Sequence, residues 1–281
     1  MIDQRYKDLL SNILKNGTQK GDRTGTGTKS ITGAMVQHNM ADGFPTLTTK
    51  RIAFKTMSVE LEGFLKGITD KRWYKDRGCN IWDSWSRPDI IPEGISDEER
   101  KKIQLESNDL GPIYGAQWRN FNGAGYDQLG AVLNSLENKP NDRRMVVSAW
   151  NPLQLHQMAL PPCHLLFQVV VRGEFLDLVW YQRSVDVFLG LPFNIASYGL
   201  ILSLLTKQFN HKPGILTGFL GDTHIYNNHI KQVEELLSRE PYPLPILNIS
   251  ADFKDTREFD HSMVSLDGYK YHPTIKAPVA I

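Results

Sequence analysis

Between residues 164 and 183 two apolar runs, HLLFQVVV and EFLDLVWYQR, are separated by little more than a turn at Arg172-Gly173-Glu174. Runs this rich in β-branched and aromatic residues, punctuated by a glycine, predict two strands of a tight hairpin. RMVVSAW at 144–150 predicts a third strand and GFLGDTHIY at 218–226 a fourth. Helical spacing takes over around them. Ile195, Tyr198, Leu202, Leu205 and Phe209 outline a long helix opening after Pro192, and Ile230, Val233 and Leu237 place another on 228–238. Upstream, Ile2, Tyr6, Leu9, Leu10, Ile13 and Leu14 mark a helix over 2–16 that Gly17 stops, and Met57, Leu61, Phe64 and Leu65 mark a second. Strands interleaved with helices in this way predict an α/β (α+β) fold. The closing HPTIKAPVAI is too interrupted by proline for a helix.

A chain of 281 residues with 41% hydrophobic content buries a full core, and we read it as one domain over 1–281, without internal repeats. Residues 86–108, SRPDIIPEGISDEERKKIQLESN, read as a surface insertion whose SDEER segment predicts a capped, solvated helix. The formal charge is +1, from 32 basic and 31 acidic residues, so no long-range field recruits nucleic acid or a membrane, and an anion has to be held by local arginines. Two cysteines, Cys79 and Cys163, are too few for a disulfide scaffold and lack Cys-x-x-Cys spacing. The start, MIDQRYKDLL, is charged where a signal peptide is apolar, and no apolar run approaches the roughly 18 residues of a membrane span. The expectation is a soluble cytosolic protein.

Several residues could carry chemistry. GDRTGTGT at 21–28 suggests a phosphate-cradling loop but lacks the Lys-Ser/Thr ending of a P-loop, so its glycines read as a turn before a strand while Arg23 stays open. Glu60 lies beside the apolar stripe of the second helix, where a carboxylate is either paired or functional. Cys163 follows Pro161 and Pro162 at the entry to a strand. It is either a nucleophile or simply a buried cysteine, the commoner fate. His164 is its sequence neighbour, but side chains of successive strand residues diverge, which argues against a Cys-His couple. Hairpin pairing predicts that Arg183 comes back beside Cys163, able to lower the thiol pKa or to grip a phosphate; the bland alternative is a solvated strand end. For Asn194 the bland alternative is a helix N-cap.

LPPCH (160–164), QRSVDVFLGLPFNIASYG (182–199), GDTHIYNNH (221–229), DRTGTGT (22–28), DRR (142–144) and IKAPVAI (275–281) together closely resemble the thymidylate synthase family. The resemblance covers nearly the whole chain in the family's order, apart from 86–108. It implies a large twisted mixed sheet flanked by helices, dimerising through the sheet face. It also implies reductive methylation of dUMP to dTMP, with 5,10-methylenetetrahydrofolate as carbon donor, reductant and cosubstrate, and no metal. Cys163 then adds to C6 of the uracil. Arg23, Arg183 and Ser184 hold the phosphate, with Arg143 and Arg144 donated by a second subunit. Asn194 reads the uracil edge, Glu60 organises proton transfers, Tyr114 stands near the C5 proton and Asp186 contacts the pterin. His224 and Tyr226 hold the 3′-hydroxyl. Ile81, Trp82 and Trp85 wall the folate, and Ile281 ends the tail that closes over both ligands.

Two departures stand out. Where the family commonly has His-Glu-Leu-Leu-Trp-Phe, this chain has Val59-Glu60-Leu61-Glu62-Gly63-Phe64, and Ile52-Ala53-Phe54 stands where a histidine often follows the Lys-Arg pair near residue 50. The nearest rival is a dUMP hydroxymethylase on the same fold, in which water captures the exocyclic methylene. A nucleic-acid-binding or regulatory protein conflicts with the near-zero charge. A cysteine hydrolase would need its own His-Asn/Asp pair near Cys163.

Overall fold

The computed structural model describes residues 1–279, apart from the side chain of Asp89. In chain order it forms α1 (Ile2–Asn16), β1 (Thr18–Lys20), β2 (Thr28–Asn39), α2 (Phe54–Lys66), α3 (Lys71–Lys75), α4 (Asp97–Glu106), α5 (Tyr114–Arg119), α6 (Gln128–Asn138), β3 (Val146–Ser148), β4 (His164–Arg172), β5 (Phe175–Asp186), α7 (Leu191–Phe209), β6 (Lys212–Tyr226), α8 (Ile230–Leu237), β7 (Ile246–Ile249) and β8 (Val264–Asp267). Six strands make one mixed sheet in the order β1-β2-β6-β5-β4-β3, with helices flanking it. The β5–β6 pair is parallel, whereas β1–β2, β2–β6 and β3–β4 are antiparallel. This is the mixed α/β class the sequence predicts. Residue contacts group into two units, one from residues 1–53, 170–250 and 264 onward, the other from 54–169 and 251–263. No helix among the described residues is long and apolar enough to cross a membrane.

In the first unit, the predicted stripe of α1 is the buried one: Ile2, Tyr6, Leu9, Leu10 and Ile13 all face inward. Each such side chain contributes about 1.5–3 kcal/mol on burial. Asp3, buried on the same helix, accepts hydrogen bonds from the backbone and hydroxyls of both Thr48 and Thr49, fixing the loop that carries Lys50. The core of β5 is Trp180, whose indole stacks on Tyr198 of α7 at 5.1 Å. Gly218 on β6 makes room for it, since a Cβ there would lie 2.2 Å from the indole ring. The 218–226 strand expected from sequence starts six residues earlier, at Lys212. The long helix opens at Leu191, so Asn194 lies within its first turn and Gly190 occupies the N-cap; the N-cap alternative for Asn194 is thereby corrected.

In the second unit, α2 presents Met57, Leu61, Phe64 and Leu65 to the core, as their spacing predicts. The SDEER segment forms a capped helix: Ser96 and Glu99 make a reciprocal capping box, and α4 buries no residue. The RMVVSAW run forms a strand only over Val146–Ser148.

Candidate active site

Cys163 reaches β4 through Pro161 and Pro162, an irregular approach with restricted φ. Its backbone N–H donates to the Tyr114 Oη at 2.9 Å. The Tyr114 ring in turn packs on His164 (centroids 4.3 Å apart) and on Phe64 (4.9 Å). Cys163 is half-buried, whereas Cys79 is buried, its thiol pushed up to about 12 by burial and, secondarily, by the charge of Glu60. The inert buried cysteine of this chain is therefore Cys79. Burial also drives the His164 imidazole down to about 3, so that ring is neutral and does not act as the cation that would activate a thiol.

Glu60 projects from α2 and is half-buried. Loss of water around the charged form pushes its carboxyl up to about 7. The Trp82 indole N–H pulls the other way, although the buried Nε1 makes no hydrogen bond of normal geometry among the described residues. Trp82 lies edge-on to Tyr114 at 6.1 Å and to Phe64 at 6.2 Å, so Glu60, Trp82, Tyr114 and Cys163 share one neighbourhood. The nearby Lys66 Nζ and His261 Nδ1 both face Glu62 instead, at 2.6 and 2.8 Å.

Those pairs explain the unusual sequence after Glu60. Glu62 is buried yet bonded by Lys66, by the His261 ring and by the His261 backbone N–H, so its charge is compensated. Gly63 is filled from outside: the Tyr74 ring occupies its space, and a Cβ at 63 would lie 2.2 Å from that ring. Tyr74 Oη donates to the Ile68 carbonyl at 2.9 Å. The missing tryptophan is thus compensated by a tyrosine one helix later. Glu62, Asp260 and His261 also bring ligand atoms within 4.8 Å of one another, but Lys66 already neutralises the central carboxylate.

In the other unit, Asn194 is oriented by a row of donors. The Trp180 Nε1–H can only donate, and it meets Gln182 Oε1 at 3.3 Å. The Gln182 carboxamide must then present its NH2 to Asn194 Oδ1, at 3.0 Å. Asn194 Oδ1 is therefore fixed as acceptor and Nδ2 as donor. Arg183 and Ser184 follow, half-buried, at the end of β5. Asp186 Oδ1 accepts from the Phe188 and Leu189 backbone N–H groups, both at 3.0 Å. Lys50, nearly buried, donates to the Phe188 carbonyl and lies 4.0 Å over the Phe188 ring; burial pulls its ammonium down to about 8.

His224 is buried on β6, edge-on to Tyr226 at 5.3 Å. Its Nδ1 faces two acceptors, the Asp222 carbonyl and carboxylate, at 3.2 and 3.3 Å. Nδ1 therefore carries a hydrogen, and in the singly protonated tautomer this leaves Nε2 as an acceptor that can meet a hydroxyl. The Asp222 carboxyl is held low despite partial burial, because Lys20 and His224 both favour its charged form. The 21–27 segment is a turn, as its glycines predict. Asp22 organises it by accepting from the Thr24 hydroxyl, Thr24 N and Gly27 N, and Arg23 is exposed on it.

Arg143 and Arg144 are exposed on the turn before β3. Among the described residues neither pairs with a carboxylate, and neither belongs to the Cys163–Tyr114 cluster. Ile81 is 39% exposed beside buried Trp82, and Trp85 is half-buried. Ile281 lies outside the described residues. Sequence reasoning missed Gln182, Lys50 and Lys71. Lys71 is buried and its ammonium caps the Asp83 and Trp85 carbonyls, each at 3.0 Å, as well as that of Gln104. Lys71 directly follows Asp70 in the sequence, so nothing local marks it as a lysine held by carbonyls.

One unit thus holds a half-exposed cysteine on a proline-stiffened approach and a carboxyl near neutral pKa, and the other holds an oriented carboxamide. A family model for thymidylate synthase matches residues 4–281. That range takes in every residue of both clusters. The family comprises methyltransferases whose substrates are dUMP and methylenetetrahydrofolate, and this chain belongs to the thymidylate synthase family.

Proposed function

We propose that the chain converts dUMP and 5,10-methylenetetrahydrofolate to dTMP and dihydrofolate. The observation that carries the substrate choice is the fixed carboxamide of Asn194: Oδ1 keeps a lone pair for uracil N3–H, and Nδ2–H faces O4. Cytosine offers the opposite pattern, an unprotonated N3 and an amino group. The Cys163 thiolate adds to C6, making C5 an enolate-type nucleophile that attacks the methylene iminium of the folate. Loss of the C5 proton, with Tyr114 nearby, and cleavage of the N5–CH2 bond, with a proton delivered through the Glu60 network, leave an exocyclic methylene. Hydride from tetrahydrofolate reduces it, and Cys163 leaves as the C5–C6 double bond reforms. A carboxyl near 7 can both hold and release a proton at neutral pH.

Arg23, Arg183 and Ser184 bind the phosphate, His224 and Tyr226 the 3′-hydroxyl, and Asp186, Ile81, Trp82, Trp85 and Ile281 the folate. Buried Trp82 supports hydride transfer over capture by water. The chain works as a homodimer through its sheet face, supported by the row Met35, Phe219 and Tyr181 across β2, β6 and β5, which are 55%, 45% and 40% exposed. Exposed Arg143 and Arg144 then reach a partner's phosphate site. Tritium release from 5-tritiated dUMP, run beside dihydrofolate absorbance, tests the reaction. Release without dihydrofolate would identify the hydroxymethylase instead. Mixing Arg143→Ala with Cys163→Ala subunits restores activity if the arginines act across the interface; no restoration refutes it.

A further inference from the structure

His229, three residues beyond Tyr226, takes no part in the chemistry above, yet it is fully buried. Its Nε2 lies 2.7 Å from the carbonyl oxygen of Pro278. A carbonyl only accepts, so Nε2 carries the hydrogen and the ring donates. Its Nδ1, also buried, has no hydrogen-bond partner among the described residues, so the ring makes a single polar contact. That contact is to the tail. The ring is gripped on two sides of its surroundings, by Tyr226 at 5.5 Å and by Phe188 at 5.6 Å. Phe188 is the residue whose backbone N–H is held by Asp186 and whose ring and carbonyl receive Lys50.

The tail runs through successive anchors. His272 N–H donates to the Thr48 carbonyl at 2.8 Å, Arg239 donates to the Pro273 carbonyl at 2.7 Å, and the Ile275 side chain is buried. Pro278 is the last hydrogen-bonded position among the described residues, and Val279 is 68% exposed. Without the His229 bond, the chain after Ile275 would have no further described polar anchor.

We propose that His229 is a positioning residue: its Nε2–H pins the tail at Pro278 and links tail placement to Tyr226 and Phe188. The proposal rests on the synthase function above, in which the tail closes over the folate. The side chain meets no substrate and acts only through the peptide it holds.

The test compares the full chain with His229→Gln, whose amide nitrogen can replace Nε2, and His229→Asn, whose shorter amide cannot reach that position. Trypsin cleavage after Lys276, exposed between the Ile275 and Pro278 anchors, is followed by mass spectrometry without substrates. Losing one neutral hydrogen bond should speed that cleavage roughly tenfold in His229→Asn and little in His229→Gln. In turnover, His229→Asn should raise KM for methylenetetrahydrofolate roughly tenfold and yield some hydroxymethyl product, with kcat far less affected. Equal cleavage in all three proteins overturns the proposal, as does cleavage throughout both variant chains, which would make His229 a requirement of folding. A KM change without faster tail cleavage also overturns it. Because cleavage needs no substrate, absence of synthase activity in the unaltered chain would instead strike the proposed reaction.

Discussion

Replacing Glu60 by glutamine tests the electrostatics of the candidate site without requiring any activity. The carboxyl is held at about 7 instead of its ordinary 4.5, and at about 1.4 kcal/mol per pH unit this corresponds to roughly 3 kcal/mol. The sign follows from proton counts. Below pH 4.5 the group is protonated in both folded and unfolded chains and costs nothing. As pH rises from 4.5 to about 7 the unfolded chain releases its proton while the folded one retains it, so stability is lost across that window. Above 7 the loss is complete. Glutamine has the same shape and never ionises. The stability difference between Glu60→Gln and the unaltered chain should therefore move by roughly 3 kcal/mol in favour of the variant between pH 4.5 and 8. Urea unfolding at pH 4.5, 6 and 8 measures it, and groups shared by both proteins cancel in the difference. A difference that stays constant across the three pH values would refute the raised carboxyl. Under the proposed reaction, the unaltered enzyme loses its acid form as pH passes about 7, whereas the glutamine variant is slow throughout.

Asn194→Asp should shift preference from dUMP toward dCMP by roughly 100-fold in relative kcat/KM, since a protonated carboxyl donates to the unprotonated N3 of cytosine; an unchanged ratio would count against the Asn194 assignment. Tyr114→Phe keeps the ring packing on Phe64 and His164 but removes the acceptor of the Cys163 N–H. That bond is worth about 1 kcal/mol, so adduct formation with 5-fluoro-dUMP and folate should slow by roughly five- to tenfold. Gly63→Ala forces a methyl group against Tyr74 and should destabilise the fold by about 1–3 kcal/mol, readable in thermal melts; a neutral change would show that the tyrosine is free to move aside.

Much of this was legible in the chain because periodicity reports burial. The stripes of α1 and α2 and the long helix α7 follow directly from apolar spacing. Strand β1 escaped because Thr18-Gln19-Lys20 is polar and exposed on every residue, and the start of β6 escaped because Pro213 and Gly214 look like breakers. The candidate site divides similarly. Cys163 and Asn194 stand inside long ordered motifs, but what orients them does not. Tyr114 is 49 residues from Cys163, and His261 lies 199 residues from the Glu62 it hydrogen-bonds. The space at Gly63 is filled by Tyr74, a residue of a different helix that no spacing in the chain ties to it.

The row from Trp180 through Gln182 to Asn194 has a direction that cannot be reversed locally. An indole can give a proton to a hydrogen bond but has no lone pair to receive one, so under the proposed reaction the base preference assigned to Asn194 is set in the core of the sheet, two side chains behind it. Turning the Asn194 amide over would turn Gln182 over with it and set its NH2 against the indole N–H, donor against donor, so a buried tryptophan two side chains back holds that amide in one orientation.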